Sequence, residues 1–308
     1  MTSAKGAAFR VKGVVWRIET ARKITQFLSF VLFSAVLFGL GPWPIVLPVV
    51  FSLGVPQKAA GDAFAMLQWM LQDLIFPWLP LASFLLVAAL LGRSLCGWVC
   101  PFGFVQDLLG FIKRKHTEVS LRTHGGMVKV KYVILMITLF ISGTLAISLA
   151  AGVGQSYKKA IGVFAAPFNA LSPADTLFAI LPRIALDVRY SSLETLAAGI
   201  SSVQPLLWSR LIIMAIILVL GVYVPRSWCR YLCPHGAALA FLNRFSFLGL
   251  KRDPLKCTKA GCRACVEACP MKVPILDLPW EKFTDPECIY CLKCAEACTT
   301  KAIKPKFP

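Results

Sequence analysis

The string R-S-x-C-x3-C-P-x-G occurs twice, as Arg93-Ser94-Leu95-Cys96-Gly97-Trp98-Val99-Cys100-Pro101-Phe102-Gly103 and as Arg226-Ser227-Trp228-Cys229-Arg230-Tyr231-Leu232-Cys233-Pro234-His235-Gly236. Each copy directly follows an apolar run. A hydrocarbon core about 30 Å thick takes about 20 apolar residues per helix, and four stretches answer to that description: residues 24–40, 74–91, 133–151 and 207–224. A chain that is 57% hydrophobic and only 16% charged is too apolar for an ordinary soluble domain. The first span follows a basic tail and has no small-residue cleavage site, so it reads as a helix rather than a signal peptide.

Charge sets the orientation. Lys and Arg number 33 against 15 Asp and Glu, a net +18. They fall as 6 in residues 1–23, 1 in 41–73, 7 in 92–131, 4 in 152–206 and 14 in 226–308. The positive-inside rule then places both termini and the middle loop in the cytoplasm, with Trp43, Trp69, Trp78 and Trp208 at the outer interface. A nucleic-acid partner is not needed to explain the basic excess. The expected fold is an all-α polytopic membrane protein with four transmembrane helices in two tandem hairpins. Residues 1–23 form a basic tail and 24–250 the membrane domain with its two C-x3-C-P motifs. Apolar pieces in loop 152–206 suggest that it lies back on the membrane surface. The two hairpins have the same orientation, so an axis along the membrane normal relates them, and the two cysteine pairs converge on it.

Residues 251–308 differ in composition and read as a separate module too small to build much of a core. It contains Cys257-x4-Cys262-x2-Cys265-x3-Cys269-Pro270 and Cys288-x2-Cys291-x2-Cys294-x3-Cys298. Soft thiolates at these spacings suit two 4Fe–4S clusters, the fourth cysteine of each run serving the other cluster. Cys257, Cys262, Cys265 and Cys298 form one ligand set, and Cys288, Cys291, Cys294 and Cys269 the other. Two structural zinc sites are the alternative reading. The four residues between Cys257 and Cys262 exceed the commonest ferredoxin spacing, which lengthens a loop without removing a ligand.

Cys96, Cys100, Cys229 and Cys233 are candidates for a third iron–sulfur cluster at the cytoplasmic membrane edge. A redox-active or transient metal site and a structural motif remain as alternatives. Arg93 and Arg226 either neutralise thiolate charge there or anchor helix ends. Other cofactors lack their residues: His116, His124 and His235 give no haem pair within the membrane, and neither C-x2-C-H nor a Gly-rich nucleotide fingerprint occurs. No Asp or Glu lies in the centre of a span, which argues against a pump-like proton relay. Asp107 is an edge carboxylate that could take a quinol proton, although it reads first as a solvated helix residue. His235 reads as solvent-facing.

Four spans, two C-x3-C-P motifs at cytoplasmic helix ends and a two-cluster module together resemble the NapH/MauN membrane ferredoxins, with the membrane part of NosR as a relative. The resemblance rests on Cys96 to Gly103, on Cys229 to Ala237 with Arg244-Phe245-Ser246, and on the eight C-terminal cysteines. It implies a quinol dehydrogenase subunit of the bacterial inner membrane. Such a subunit exchanges electrons between menaquinone or ubiquinone and iron–sulfur, flavin or cytochrome partner subunits, without nucleic acid. The outer flavin domain of NosR has no counterpart here. Copper-reducing assembly factors share the cysteine motifs, so a maturation or metal-reducing factor and a membrane redox sensor are the rival functions.

Overall fold

The computed structural model describes residues 8–11, 14–33, 45–46, 60–61, 70–71, 76, 78–113, 117, 119–170, 172–181, 205–257 and 262–307, which include all twelve cysteines. Among these residues the protein is mostly helical. The helices are α1 (Ile18–Phe33), α2 (Trp78–Leu91), α3 (Ser94–Trp98), α4 (Pro101–Leu109), α5 (Leu121–Ala150), α6 (Gly154–Ile161), α7 (Pro205–Tyr223), α8 (Pro234–Asn243), α9 (Ala264–Glu267) and α10 (Lys293–Ala297). The all-α expectation is corrected by short strands. Strands β1 (Ala8–Val11) and β2 (Val14–Arg17) pair antiparallel just before α1. In the C-terminal module β3 (Gly249–Arg252) pairs antiparallel with β4 (Ile303–Lys306), tying its first residues to its last. Two helices of four and five residues cannot enclose such a module, and the ladder supplies the missing closure.

Of the described helices, one is long and apolar enough to cross a membrane, residues Arg122–Ala150, and Leu207–Tyr223 is a shorter apolar helix. Only 17% of the most apolar stretch of the long helix is buried. Phe140 and Ile147 on its surface are each 72% exposed. The other two expected spans fall partly outside the described residues, which omit 34–40 and most of 74–77.

Helix α5 begins well before the apolar run at 133. Ser120 caps it, its Oγ accepting the Thr123 amide at 3.3 Å. Its first turns carry Lys129 and Lys131, too polar for a span, and run beside the C-terminal module. There Lys131 is fully buried against Glu287, and the Tyr132 hydroxyl donates to the same carboxylate at 3.2 Å. Helix α1 likewise begins ahead of its apolar run and buries Arg22 and Gln26.

The start of α1, the end of α2, the start of α5 and the end of α7 all meet at the cysteine motifs. The Glu19 amide reaches Glu296 of α10 at 3.3 Å. The Phe247 amide donates to Ala89 O at the end of α2 at 2.8 Å. The Thr117 amide donates to Tyr223 O at the end of α7 at 3.1 Å.

Within residues 162–170 and 172–181, Phe168 and Phe178 are buried, although Phe164 is 41% exposed. Phe168 packs with Phe84, Ala88 and Leu239, and Phe178 with Phe102 and Ile217. These two rings approach the two copies of the motif at equivalent positions, Phe168 against His235 and Phe178 against Phe102. These aromatic anchors draw the segment inward.

Candidate iron–sulfur centres

In each repeat the proline sets the local fold. Pro101 and Pro234 stand in the first turn of α4 and α8, where a missing N–H costs nothing. That makes Cys100 and Cys233 the capping residues. The Cys100 sulfur accepts the Gly103 amide at 3.3 Å, and the Cys233 sulfur accepts the Gly236 amide at the same distance. Both sulfurs therefore sit at helix N-termini, where the aligned peptide dipoles favour an anion. Cys96 lies on α3 and Cys229 in a π turn, Trp228–Leu232.

The repeats then hold each other. Arg226 Nη1 donates to Cys96 O at 3.0 Å, and Arg93 Nη2 donates to Cys229 O at 3.1 Å. Each arginine is fully buried and is neutralised in turn by a carboxylate. Asp107 accepts from Arg226 at 2.7 and 2.8 Å and from Arg22 at 2.8 Å, while Glu287 accepts from Arg93 at 3.0 Å. Asp107 is therefore not a solvated helix residue. The guanidiniums of Arg226 and Arg22 overcome its burial and hold its carboxyl below the usual range, so it is a counter-ion and a poor proton acceptor. The glycine of the motif is needed for this close packing. A Cβ on Gly236 would lie 3.0 Å from Arg93 Nη2, and one on Gly103 would lie 3.2 Å from Cys96 O.

The four thiols of the two repeats form one electrostatic group. Cys100 hydrogen-bonds to Cys229, and Cys96 and Cys233 both interact with Cys229 and with each other. The Cys100 hydrogen bond, together with Arg226 and the Gln106 amide at 3.2 Å, brings the Cys229 thiol down to about 6. Burial raises Cys96, and it pushes Cys233 up to about 12. Burial forbids four uncompensated negative charges, so iron must replace the protons when the set ligates. The donor set fits a cluster in its softness, number and capped sulfurs.

The C-terminal module has its own internal symmetry. Cys269 Sγ accepts the Val273 amide at 3.4 Å, and Cys298 Sγ accepts the Ala302 amide at 3.3 Å. Three residues after each of these cysteines the backbone turns left-handed, at Lys272 (φ 56°) and Lys301 (φ 52°). Tyr290 (φ 47°) and Leu292 (φ 59°) do the same inside Cys288–Cys294, the conformational cost of wrapping three sulfurs around one centre. Cys288 interacts electrostatically with Cys294, Cys291 and Cys269, and these four line one cavity with Leu250 and Phe283. Cys265 interacts with Cys257 and Cys298. Cys262 is exposed, next to residues 258–261, where the long spacing lies outside the described residues. Among the described residues no three His, Cys, Asp or Glu side chains close around a single metal ion.

The module docks on the repeats through backbone. Cys96 packs against the core that contains Cys265, Cys269, Cys291 and Cys294. The Trp98 indole donates to Tyr290 O at 2.9 Å, and Asn243 Nδ2 donates to Asp285 O and Cys288 O at 2.6 and 3.1 Å. Gln26 reaches across from α1 to Gly97 O at 2.9 Å. Sequence reasoning missed Gln106, Asn243, Glu287 and Arg252. Their only signal is polarity beside the motifs, and Arg252 lies outside the repeat, pinning Ile275 O at 2.8 Å and Leu278 O at 3.1 Å. His235, expected to face solvent, is 7% exposed, and burial holds its imidazole neutral with a pKa of about 3.

A 4Fe-4S binding domain model matches the chain twice, at residues 71–117 and 206–253, once over each copy of the repeat. A 4Fe-4S dicluster domain model matches residues 249–299. An uncharacterized protein of Methanocaldococcus jannaschii is 26% identical over 93% of this chain and 95% of its own length. The ferredoxin-type protein NapH of Haemophilus influenzae is 25% identical over 72% of this chain and 66% of its own length. The regulatory protein NosR of Pseudomonas aeruginosa is 25% identical over 88% of this chain, which spans 32% of NosR. No solved structure matches. These matches support iron–sulfur clusters and electron transfer, and they make the chain a homologue of the ferredoxin-type NapH proteins and of NosR, NirI and YccM.

Proposed function

We propose that the protein is a membrane-bound iron–sulfur subunit that exchanges electrons between the quinone pool and a partner redox protein, through three 4Fe–4S clusters. The ligand sets are Cys257, Cys262, Cys265 and Cys298; Cys269, Cys288, Cys291 and Cys294; and Cys96, Cys100, Cys229 and Cys233. When bound, such clusters supply one-electron transfer. The residues hold, space and insulate them. The observation that carries this reading is the packing of Cys96 against the core that contains Cys265, Cys269, Cys291 and Cys294, which supports a repeat site beside the C-terminal thiols.

Two hairpins spanning the inner membrane, with both termini cytoplasmic, complete the proposal. The charge distribution supports them, as do the four helix ends that converge at the motifs. The proposed centres then start at the membrane edge and end at exposed Cys262, where a soluble partner subunit can approach. The test is anaerobic addition of menaquinol or ubiquinol to the full chain in lipid nanodiscs, followed by electron paramagnetic resonance. The expected result is cluster reduction within the quinol concentration series. Clusters that dithionite reduces and neither quinol affects, together with clusters reduced beforehand that neither quinone reoxidises, would sink the quinone assignment.

A further inference from the structure

A cleft of about 370 Å³ opens between α4, the following loop and the C-terminal module. Its volume is in the range of small-molecule sites. The walls bring together Gln106, Phe111, Val119, Arg230, Cys269 and Lys272. Two of these residues belong to different centres. Cys269 is a thiol of the dicluster module, and the Gln106 amide donates to Cys229 Sγ of the repeat site at 3.2 Å. A molecule in this cleft therefore touches the surroundings of both.

The mouth of the cleft is apolar. Phe111, which lines it, is 61% exposed, and Ile112 and Leu108 beside it are 70% and 58% exposed. On neighbouring α1, Phe27 and Leu28 are 51% and 62% exposed, and Lys23 Nζ lies 4.4 Å from the Phe111 ring centre. Such a run of bare apolar side chains beside the C-x3-C-P motif continues the lipid-facing surface to the cleft. The lining also carries three cations, Arg230, Lys272 and Lys293, and two carboxylates, Asp107 and Glu267; Arg230 already donates to His124, and Lys293 lies 3.8 Å from Glu19.

From this juxtaposition of exposed apolar side chains at Phe111, a charged lining and two cysteine centres in one cleft, we infer that it is the binding site for the quinone headgroup. The inference rests on the quinone reading above and gives that reading a place. The balance is simple: a quinol releases two electrons and two protons and leaves as quinone. A cluster held by the Cys269 set and one held by the Cys229 set would each take one of the two electrons. Neither Asp107, paired with two arginines, nor a residue of the spans is needed for the protons, which pass to water on the Glu267 side. Arg230 and Lys272 hydrogen-bond the quinone oxygens, while the isoprenoid tail leaves past Phe111 into lipid.

The test measures binding rather than turnover. The probe is 2-heptyl-4-hydroxyquinoline N-oxide, a fluorescent quinol analogue, added to the cluster-loaded full chain in nanodiscs. Val119→Trp fills the cleft from a loop that contributes no cysteine, and it is expected to weaken probe binding at least tenfold with iron content unchanged. Phe111→Ala is expected to weaken it several-fold. Met136→Trp, on the exposed face of α5, is expected to leave it as in the wild type. If the wild type binds and Val119→Trp binds equally at full iron content, the headgroup sits elsewhere and the inference is overturned while the quinone reading stands. If the wild type does not bind the probe and its clusters do not respond to quinol or quinone, both fall together. Should Val119→Trp lose iron, Phe111→Ala decides in its place, and wild-type affinity there overturns the inference.

Discussion

Replacing Asp107 with Asn is expected to destabilise the protein by about 3–5 kcal/mol, the cost of removing one member from a buried ionic group. Arg22 and Arg226 are both fully buried, and Asp107 is the carboxylate that neutralises them. An amide keeps the shape and one acceptor but leaves two guanidinium charges uncompensated away from water. Arg226 would then lose its hold on Cys96 O, which ties the second repeat to the first. Thermal unfolding in detergent at neutral pH checks the size of the effect. A melting behaviour like that of the wild type would mean the triad is not structural. The pH dependence adds a sign. Because the folded protein holds the Asp107 carboxyl below its ordinary range, its contribution is complete above the unfolded value of about 4 and fades as pH falls toward the folded one. The gap between wild type and variant should therefore narrow in acid.

Gly97→Ala is expected to separate the C-terminal module from the repeats. A Cβ at position 97 would lie 2.3 Å from Ile289 O and 3.6 Å from Cys291 N. The obstacle is backbone, so it has no rotamer by which to move aside. Forcing a methyl into packed surroundings costs about 1–3 kcal/mol. Here that strain falls on the contact between Cys96 and the core around Cys288, and it acts against the Trp98–Tyr290 and Gln26–Gly97 hydrogen bonds. We expect full iron content, faster proteolysis between α8 and β3, and loss of magnetic coupling between the reduced centres. Gly143→Ala is the matched control: nothing lies within 4 Å of that Cβ, and alanine is the better helix former. Unchanged coupling in Gly97→Ala would show that the modules do not meet as described.

The repeat and the eight C-terminal cysteines were legible because their spacing is itself chemical information. Proline after a cysteine announces a helix restart, and Pro101 and Pro234 provide it in both copies. What was not legible depends on contacts between distant residues. Glu287 gives no sequence signal for its partnership with Arg93, in the turn before α3, and Lys131, on α5. Asp107 looks like any polar residue on a short helix until α1 and the second repeat close over it. The early starts of α1 and α5 were hidden by their polar first turns, since a hydropathy window finds lipid contact and overlooks helix that packs on protein. Apolar pieces in the outer loop suggest a segment lying on the membrane surface, whereas Phe168 and Phe178 pack against the two repeats.

The most direct measurement of the central claim is the iron and acid-labile sulfide content of anaerobically purified protein, compared with the Cys96→Ala/Cys229→Ala variant. Three centres predict about twelve irons per chain, falling to about eight in the variant while the dicluster signal persists. About eight irons in both proteins would contradict the account, because the four thiols that the two repeats bring together would then hold no cluster.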